Sequence, residues 1–168
     1  MYNHGGGFKM LNIRVICVGK SKEKYWDAAY AEYLKRLRGY CSPEVIEVKE
    51  ARLPANASAA DERKVIETEG RDILGKIGNG DYVIALDIQG RELSSEEMAA
   101  KIAEISFDYS RISFIIGGSL GLSDEVKRRA DLRMSFGKIT LPHQLARVVL
   151  LEQIYRAFKI NAGEAYHK

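Results

Sequence analysis

Chemistry-bearing side chains crowd the end of this chain: His143, Glu152, Arg156, Tyr166, His167 and Lys168. Glu152 and Arg156 are four residues apart, so they share one face of a helix. They form either an ordinary surface pair worth about 0.2–0.5 kcal/mol or a carboxylate and guanidinium held beside a reaction centre. His143 follows Leu141-Pro142, where it is either a proton carrier or a packing residue at a helix start. Tyr166 is suited to stacking on a base, and His167 and Lys168 to meeting phosphates. A polar tail over 161–168 otherwise frays.

A second group is glycine-based. Gly117-Gly118 closes an apolar run and Gly121 follows three residues later, a spacing that lets backbone amides approach a ligand or simply makes a turn. It is neither the GxGxxG of dinucleotide sites nor a P-loop. Asp87, at another strand end, either holds a ribose hydroxyl or closes its own turn. The apolar stretch Phe136-Gly137-Lys138-Ile139-Thr140-Leu141 could wrap an adenine. HExxH, CxxC and clustered metal-ligand carboxylates do not occur in the sequence, which weakens a metal reading.

The elements that position these residues alternate in type. β-rich runs lie at 11–18 (LNIRVICV), 45–48, 82–86, 112–116 and 132–136, with a further short piece at 139–140. Between them, apolar residues recur at helical spacing over 23–37, 58–77, 94–105 and 123–130, and a last helix covers 143–159. Ser58 and Ser94 are caps, the latter in a box with Glu97. This order predicts an α/β fold: a mostly parallel sheet with helices on both faces. In such a sheet the C-terminal strand ends share one edge, so Leu86, Gly117 and 136–141 should meet around one pocket. The last helix carries Leu145, Val148, Val149, Leu151, Ile154, Tyr155 and Phe158, wider than one sheet contact needs, with Arg147, Glu152, Arg156 and Lys159 set against it. Part of that apolar face should pack on a second subunit.

Residues 10–168 read as one domain. Residues 1–9 (MYNHGGGFK) have no apolar core and read as an upstream extension, with Met10 a plausible native start. No run reaches the length of a membrane span. Two cysteines, Cys17 and Cys41, make no disulfide framework, which points to the cytoplasm. Net charge is +3, yet from Lys127 onward nine Lys/Arg face three acidic residues, leaving about −3 on the rest of the chain. That partition suggests a basic face for phosphates, or an ordinary solvated helix surface.

Taken together, Leu86-Asp87-Ile88-Gln89-Gly90, Ile115-Ile116-Gly117-Gly118-Ser119-Leu120-Gly121-Leu122, Thr140-Leu141-Pro142-His143-Gln144, Arg147-Val148, Glu152-Gln153-Ile154-Tyr155-Arg156-Ala157 and Tyr166-His167-Lys168 resemble one family. It is the RlmH family of SPOUT-class methyltransferases, which act on N3 of a pseudouridine in large-subunit ribosomal RNA. The resemblance runs from Met10 to the C-terminus. It implies a C-terminal trefoil knot, S-adenosylmethionine as cofactor, a homodimer, no metal, and ribosomal RNA within the ribosome as partner. Carried over, Leu86, Gly117, Phe136, Gly137, Lys138, Ile139, Thr140 and Leu141 would contact the cofactor, while His143, Glu152, Arg156, Tyr166 and His167 would lie on the RNA side. The alternatives are a non-catalytic ribosome-binding or assembly factor with a relict pocket, and a same-fold methyltransferase acting on transfer RNA.

Overall fold

The structure, a computed structural model, describes residues 10–166; the extension at 1–9 and His167 lie outside the described residues. The strands are β1 (Asn12–Val18), β2 (Ser42–Val48), β3 (Tyr82–Glu92), β4 (Arg111–Ile116) and β5 (Leu132–Ser135). The helices are α1 (Lys24–Leu37), α2 (Ala59–Lys76), α3 (Ser95–Asp108), α4 (Asp124–Arg129) and α5 (His143–Asn161). The sheet order is β2-β1-β4-β3-β5, with every pair parallel.

The two faces follow from alternation along the strands. Ile13, Val15 and Cys17 of β1 enter a core with Phe114, Ile102, Leu151 and Ile154, beneath α1, α3 and α5. Ile16 and Val18 enter a second core with Ile73, Ile115 and Val126, beneath α2 and α4. Helix starts are fixed by reciprocal caps: Ser58 with Asp61 on α2 and Ser94 with Glu97 on α3, while Ser123 accepts from the Val126 N–H on α4. Each satisfies amide groups that a helix otherwise leaves unpaired.

Three expectations need correction. β2 begins at Ser42 and includes Pro43, which an edge strand tolerates because one row of its amides needs no partner. The segment 139–140 is not a strand. β3 does not stop at Leu86: it pairs with β5 through Met134, shifts register between Leu86 and Arg91, and resumes at Arg91 and Glu92. Residues 87–90 are the surplus, pushed out of the ladder as a bulge pushes residues out of a strand. Gly90 permits it, since a Cβ there would lie 2.7 Å from the Arg133 carbonyl carbon and 2.8 Å from the Met134 one.

Candidate active site

At the C-terminal edge of the strands a cavity of about 460 Å³ opens between β3, β4, β5 and the start of α5. Leu86 and the bulge residues Asp87, Ile88 and Gln89 form one side; the glycine turn after β4 forms another; the segment after β5 forms the third. Of the eight residues expected to meet here, Leu86, Gly117, Phe136, Gly137, Ile139, Thr140 and Leu141 line the cavity, and Lys138 does not. His143 also lines it. Lys127, Met134, Ser135 and Ala146 line it without having been singled out for the site in the sequence. Ala146 could have been found, because it lies one turn after His143 on the same helix face.

The glycine turn is shaped by its own packing. Gly118 and Gly121 form an antiparallel bridge, the Gly121 N–H donates to the Gly118 carbonyl at 3.0 Å, and Gly121 has φ +85°. A Cβ on Gly117 would stand 2.8 Å from Leu122 Cδ2. Asp87 takes the turn-closing role of its two alternatives. Its carboxylate accepts from the Gln89 N–H at 3.1 Å and pairs with Arg133 at 3.2 Å and Lys127 at 3.9 Å, tying α4 and β5 to the bulge.

Glu69 lies under the turn, 3% exposed, with Oε1 accepting from the Ala51 N–H at 3.1 Å and Oε2 unpartnered. Burial pushes its carboxyl above the ordinary range; the Ala51 N–H opposes this and the nearby Glu50 adds to it. Cys17 and Cys41 are buried, and burial holds their thiols at about 11 and about 12, which removes both as nucleophiles at neutral pH.

Helix α5 is held to the rest of the site by Arg147. The sequence sets this residue against the apolar face, but it is 1% exposed. Its guanidinium donates to the Val18 carbonyl at 2.9 Å, the Gly19 carbonyl at 2.6 Å and Glu47 at 3.1 Å, so it clamps the end of β1 to α5. Tyr30, under the same guanidinium, donates its hydroxyl to the Gln144 carbonyl at 3.1 Å.

Glu152, Arg156 and Tyr166 come together, away from the cavity. Arg156 pairs with Glu152 at 2.6 Å and lies 4.8 Å from the centre of the Tyr166 ring. Tyr166 donates to Glu152 at 3.4 Å and packs edge-on against Tyr155 at 5.0 Å. The segment after α5 therefore does not fray up to this point. It turns at Gly163, φ +68°, and Glu164 pairs with Lys159 and accepts from Tyr40 at 2.7 Å. Glu152 is nine residues beyond His143, about 13 Å along the helix axis. One chain thus brings His143 to the cavity and leaves the Glu152 cluster two and a half turns away.

The basic C-terminal segment does not form one free face. Lys127, Arg129, Arg133, Arg147, Arg156 and Lys159 each have a carboxylate partner. Among the described residues, no group of three or more His, Cys, Asp or Glu side chains could hold a metal, and no helix is long and apolar enough to cross a membrane.

Residues 11–167 match the family model described as "Predicted SPOUT methyltransferase". The chain belongs to the SPOUT methyltransferase family. Among its relatives, the "Ribosomal RNA large subunit methyltransferase H" of Oenococcus oeni is 55% identical over 160 residues, covering 95% of this chain and 100% of the relative. The protein of the same name from Carboxydothermus hydrogenoformans is 54% identical over 159 residues, covering 94% and 100%. The fold is also that of a probable methylase family protein from Haemophilus influenzae, at TM-score 0.54 and 13% identity over 94% of this chain and 71% of that one. For a SPOUT methyltransferase, a cavity at the strand ends that is largely apolar and bordered by glycine turns is where a methyl donor is to be sought.

Proposed function

We propose that this protein transfers a methyl group from S-adenosylmethionine to N3 of a pseudouridine in large-subunit ribosomal RNA, acting on assembled ribosomal particles in the cytoplasm. The observation that carries the reading is the convergence of three separate segments, 86–89, 116–122 and 134–141, on one cavity in a chain more than half identical to proteins named for ribosomal RNA methylation. The cavity fits such a donor. Its volume lies in the range of small-molecule sites, its apolar side chains suit an adenine, and its backbone-rich turns supply hydrogen bonds.

When bound, the sulfonium supplies an activated methyl group. The chain's own residues supply alignment of an in-line displacement, which is worth several kcal/mol when the reacting atoms are held in position. Leu86, Gly117, Phe136, Gly137, Ile139, Thr140 and Leu141 hold the donor, with Lys138 beside them. His143 faces the cavity and assists loss of the N3 proton. The C-terminal segment is threaded as the trefoil knot expected for the family.

Glu152, Arg156 and Tyr166, with His167, organise the nucleotide. Their separation from His143 within one chain favours a site shared by two subunits of a homodimer, in which the tail of one serves the cavity of the other. The partly exposed Val148, Val149 and Tyr155 on α5, with Ile139 at 78% exposure on the cavity rim, offer the apolar surface such a dimer covers.

Deleting residues 166–168 tests this arrangement. Methylation of large-subunit particles should be lost while calorimetric binding of S-adenosylmethionine stays close to wild type. Full activity in the truncated protein removes the tail from the mechanism. Heterodimers pairing a Gly117→Arg subunit with a truncated one should recover activity; none in verified heterodimers rules out the shared site.

A further inference from the structure

A second depression adjoins the cavity, between the loop joining β1 to α1 and the start of α5. It holds about 300 Å³ and shares Gly118 and His143 with the cavity. Its other walls include Lys20, Lys22, Trp26 and Gln144, with Glu23 and Glu50. From it we infer a subsite for a single-stranded RNA nucleotide, with its base against Trp26 and its phosphates at Lys20 and Lys22. This rests on the RNA methyl-transfer reading above and adds where the substrate strand lies.

The inference stands on charge, ring and rigidity. Among the described residues Lys20 and Lys22 make no salt bridge, whereas six cations of the C-terminal segment are neutralised by carboxylates. Two ammonium groups that make no ion pair, although Glu23 and Glu50 share the depression, stand beside an indole, the pairing that tracks a phosphate backbone and stacks a base without regard to sequence. Tyr25, next to Trp26 at 5.2 Å between ring centres, is 64% exposed and extends the aromatic surface. Glu23 and Glu50 accept hydrogen bonds from base-edge N–H groups, and they disfavour phosphate on their side.

The loop is also held in place before any ligand arrives. Arg147 binds the Val18 and Gly19 carbonyls, the Ser21 N–H donates to Glu47 at 2.7 Å, and Gln144 Nε2 donates to the Lys20 carbonyl at 3.5 Å. Gly19, at φ +90°, makes the turn that starts it. A fixed platform loses little freedom on binding, so more of the contact energy appears as affinity. The shared wall at His143 places a nucleotide here next to the one entering the cavity.

Trp26 is the chain's single tryptophan, so its emission reports the subsite directly. Titrating the full chain with a short oligouridylate at low salt should quench that emission. The Lys20→Gln/Lys22→Gln double variant should lower the magnitude of the log K against log salt slope by about 1.4, two phosphates at 0.7 each. Trp26→Ala should weaken binding about 5- to 160-fold, as loss of one stacked base does. If that variant fails to fold, the lysine pair and the wild-type emission still decide the matter.

With large-subunit particles as substrate, the lysine variant should raise KM, while Lys35→Gln/Lys76→Gln, the same charge change at the opposite sheet edge, should not. No oligouridylate binding, unchanged Trp26 emission at saturating oligouridylate, or a wild-type KM in the lysine variant overturns the subsite. Labelled methyl transfer by the wild type separates the two ideas. Transfer with a wild-type KM in the variant sinks the subsite alone; quenching without any transfer sinks the methyltransferase reading and leaves an RNA site.

Discussion

Replacing Arg147 with methionine removes a guanidinium that is 1% exposed and bonded to the Val18 and Gly19 carbonyls and to Glu47. Two carbonyl acceptors lose this donor, at about 1–3 kcal/mol each. Glu47 adds little, because its side chain is 35% exposed and regains water. Part of the loss is returned: the cation no longer has to be desolvated, its unpartnered Nε disappears, and the methionine fills much of the space. The balance is a destabilisation of about 2–4 kcal/mol, which for a chain of this size lowers Tm by about 4–16 °C. Urea titration should show a lower midpoint at unchanged m. Calorimetry should show weaker S-adenosylmethionine binding, since Ala146 and His143 on the same helix line the cavity. Arg147→Lys should fall between, because one ammonium cannot reproduce the planar fork. A midpoint within about 0.5 kcal/mol of wild type would refute the clamp, since that is the range of an ordinary surface change.

Gly90→Ala should loosen the β3–β5 edge, because the added Cβ meets the backbone of Arg133 and Met134 at 2.7–2.8 Å. About 1–3 kcal/mol should be lost, with faster hydrogen exchange in β5 and weaker cofactor binding; wild-type exchange there would show that the bulge is not tight. Glu69→Gln should flatten the dependence of stability on pH. Burial raises the folded carboxyl's pKa, so its contribution is fully present below the unfolded value and is lost as pH rises through the folded one. The variant should therefore gain on wild type as pH rises from the unfolded carboxyl's value through the raised folded one, and parallel urea midpoints over that rise would contradict this. Cys17 and Cys41, held at about 11 and about 12, should resist a thiol-disulfide reagent in the native protein and react after unfolding; rapid native labelling would show the burial to be wrong.

The order of elements was legible because each run carried its own period: Ile13, Val15 and Cys17 against Ile16 and Val18 on β1, and serine caps at Ser58 and Ser94. The meeting of Leu86, Gly117 and 136–141 followed from parallel topology alone. Continuation of β3 beyond Leu86 did not, since Asp87-Ile88-Gln89-Gly90 has the composition of a loop and its ladder resumes only through a register shift. Arg147 was misplaced because a cation on a helix usually faces water, and nothing local reveals that two strand-end carbonyls wait for it. The stretch 162–166 was misjudged for a similar reason. Its order comes from Tyr40, Tyr155 and Arg156, contacts distant in sequence or made by the chain turning back on itself.

The central claim is methyl transfer to one pseudouridine of large-subunit ribosomal RNA, and it is tested most directly by mass mapping. Large-subunit particles lacking the modification are incubated with the protein and methyl-labelled S-adenosylmethionine, and the RNA is digested and sequenced by mass. The account predicts the mass of a single added methyl, carrying the label, on N3 of one pseudouridine. Unchanged RNA, or label on a different base or on transfer RNA instead, would contradict it.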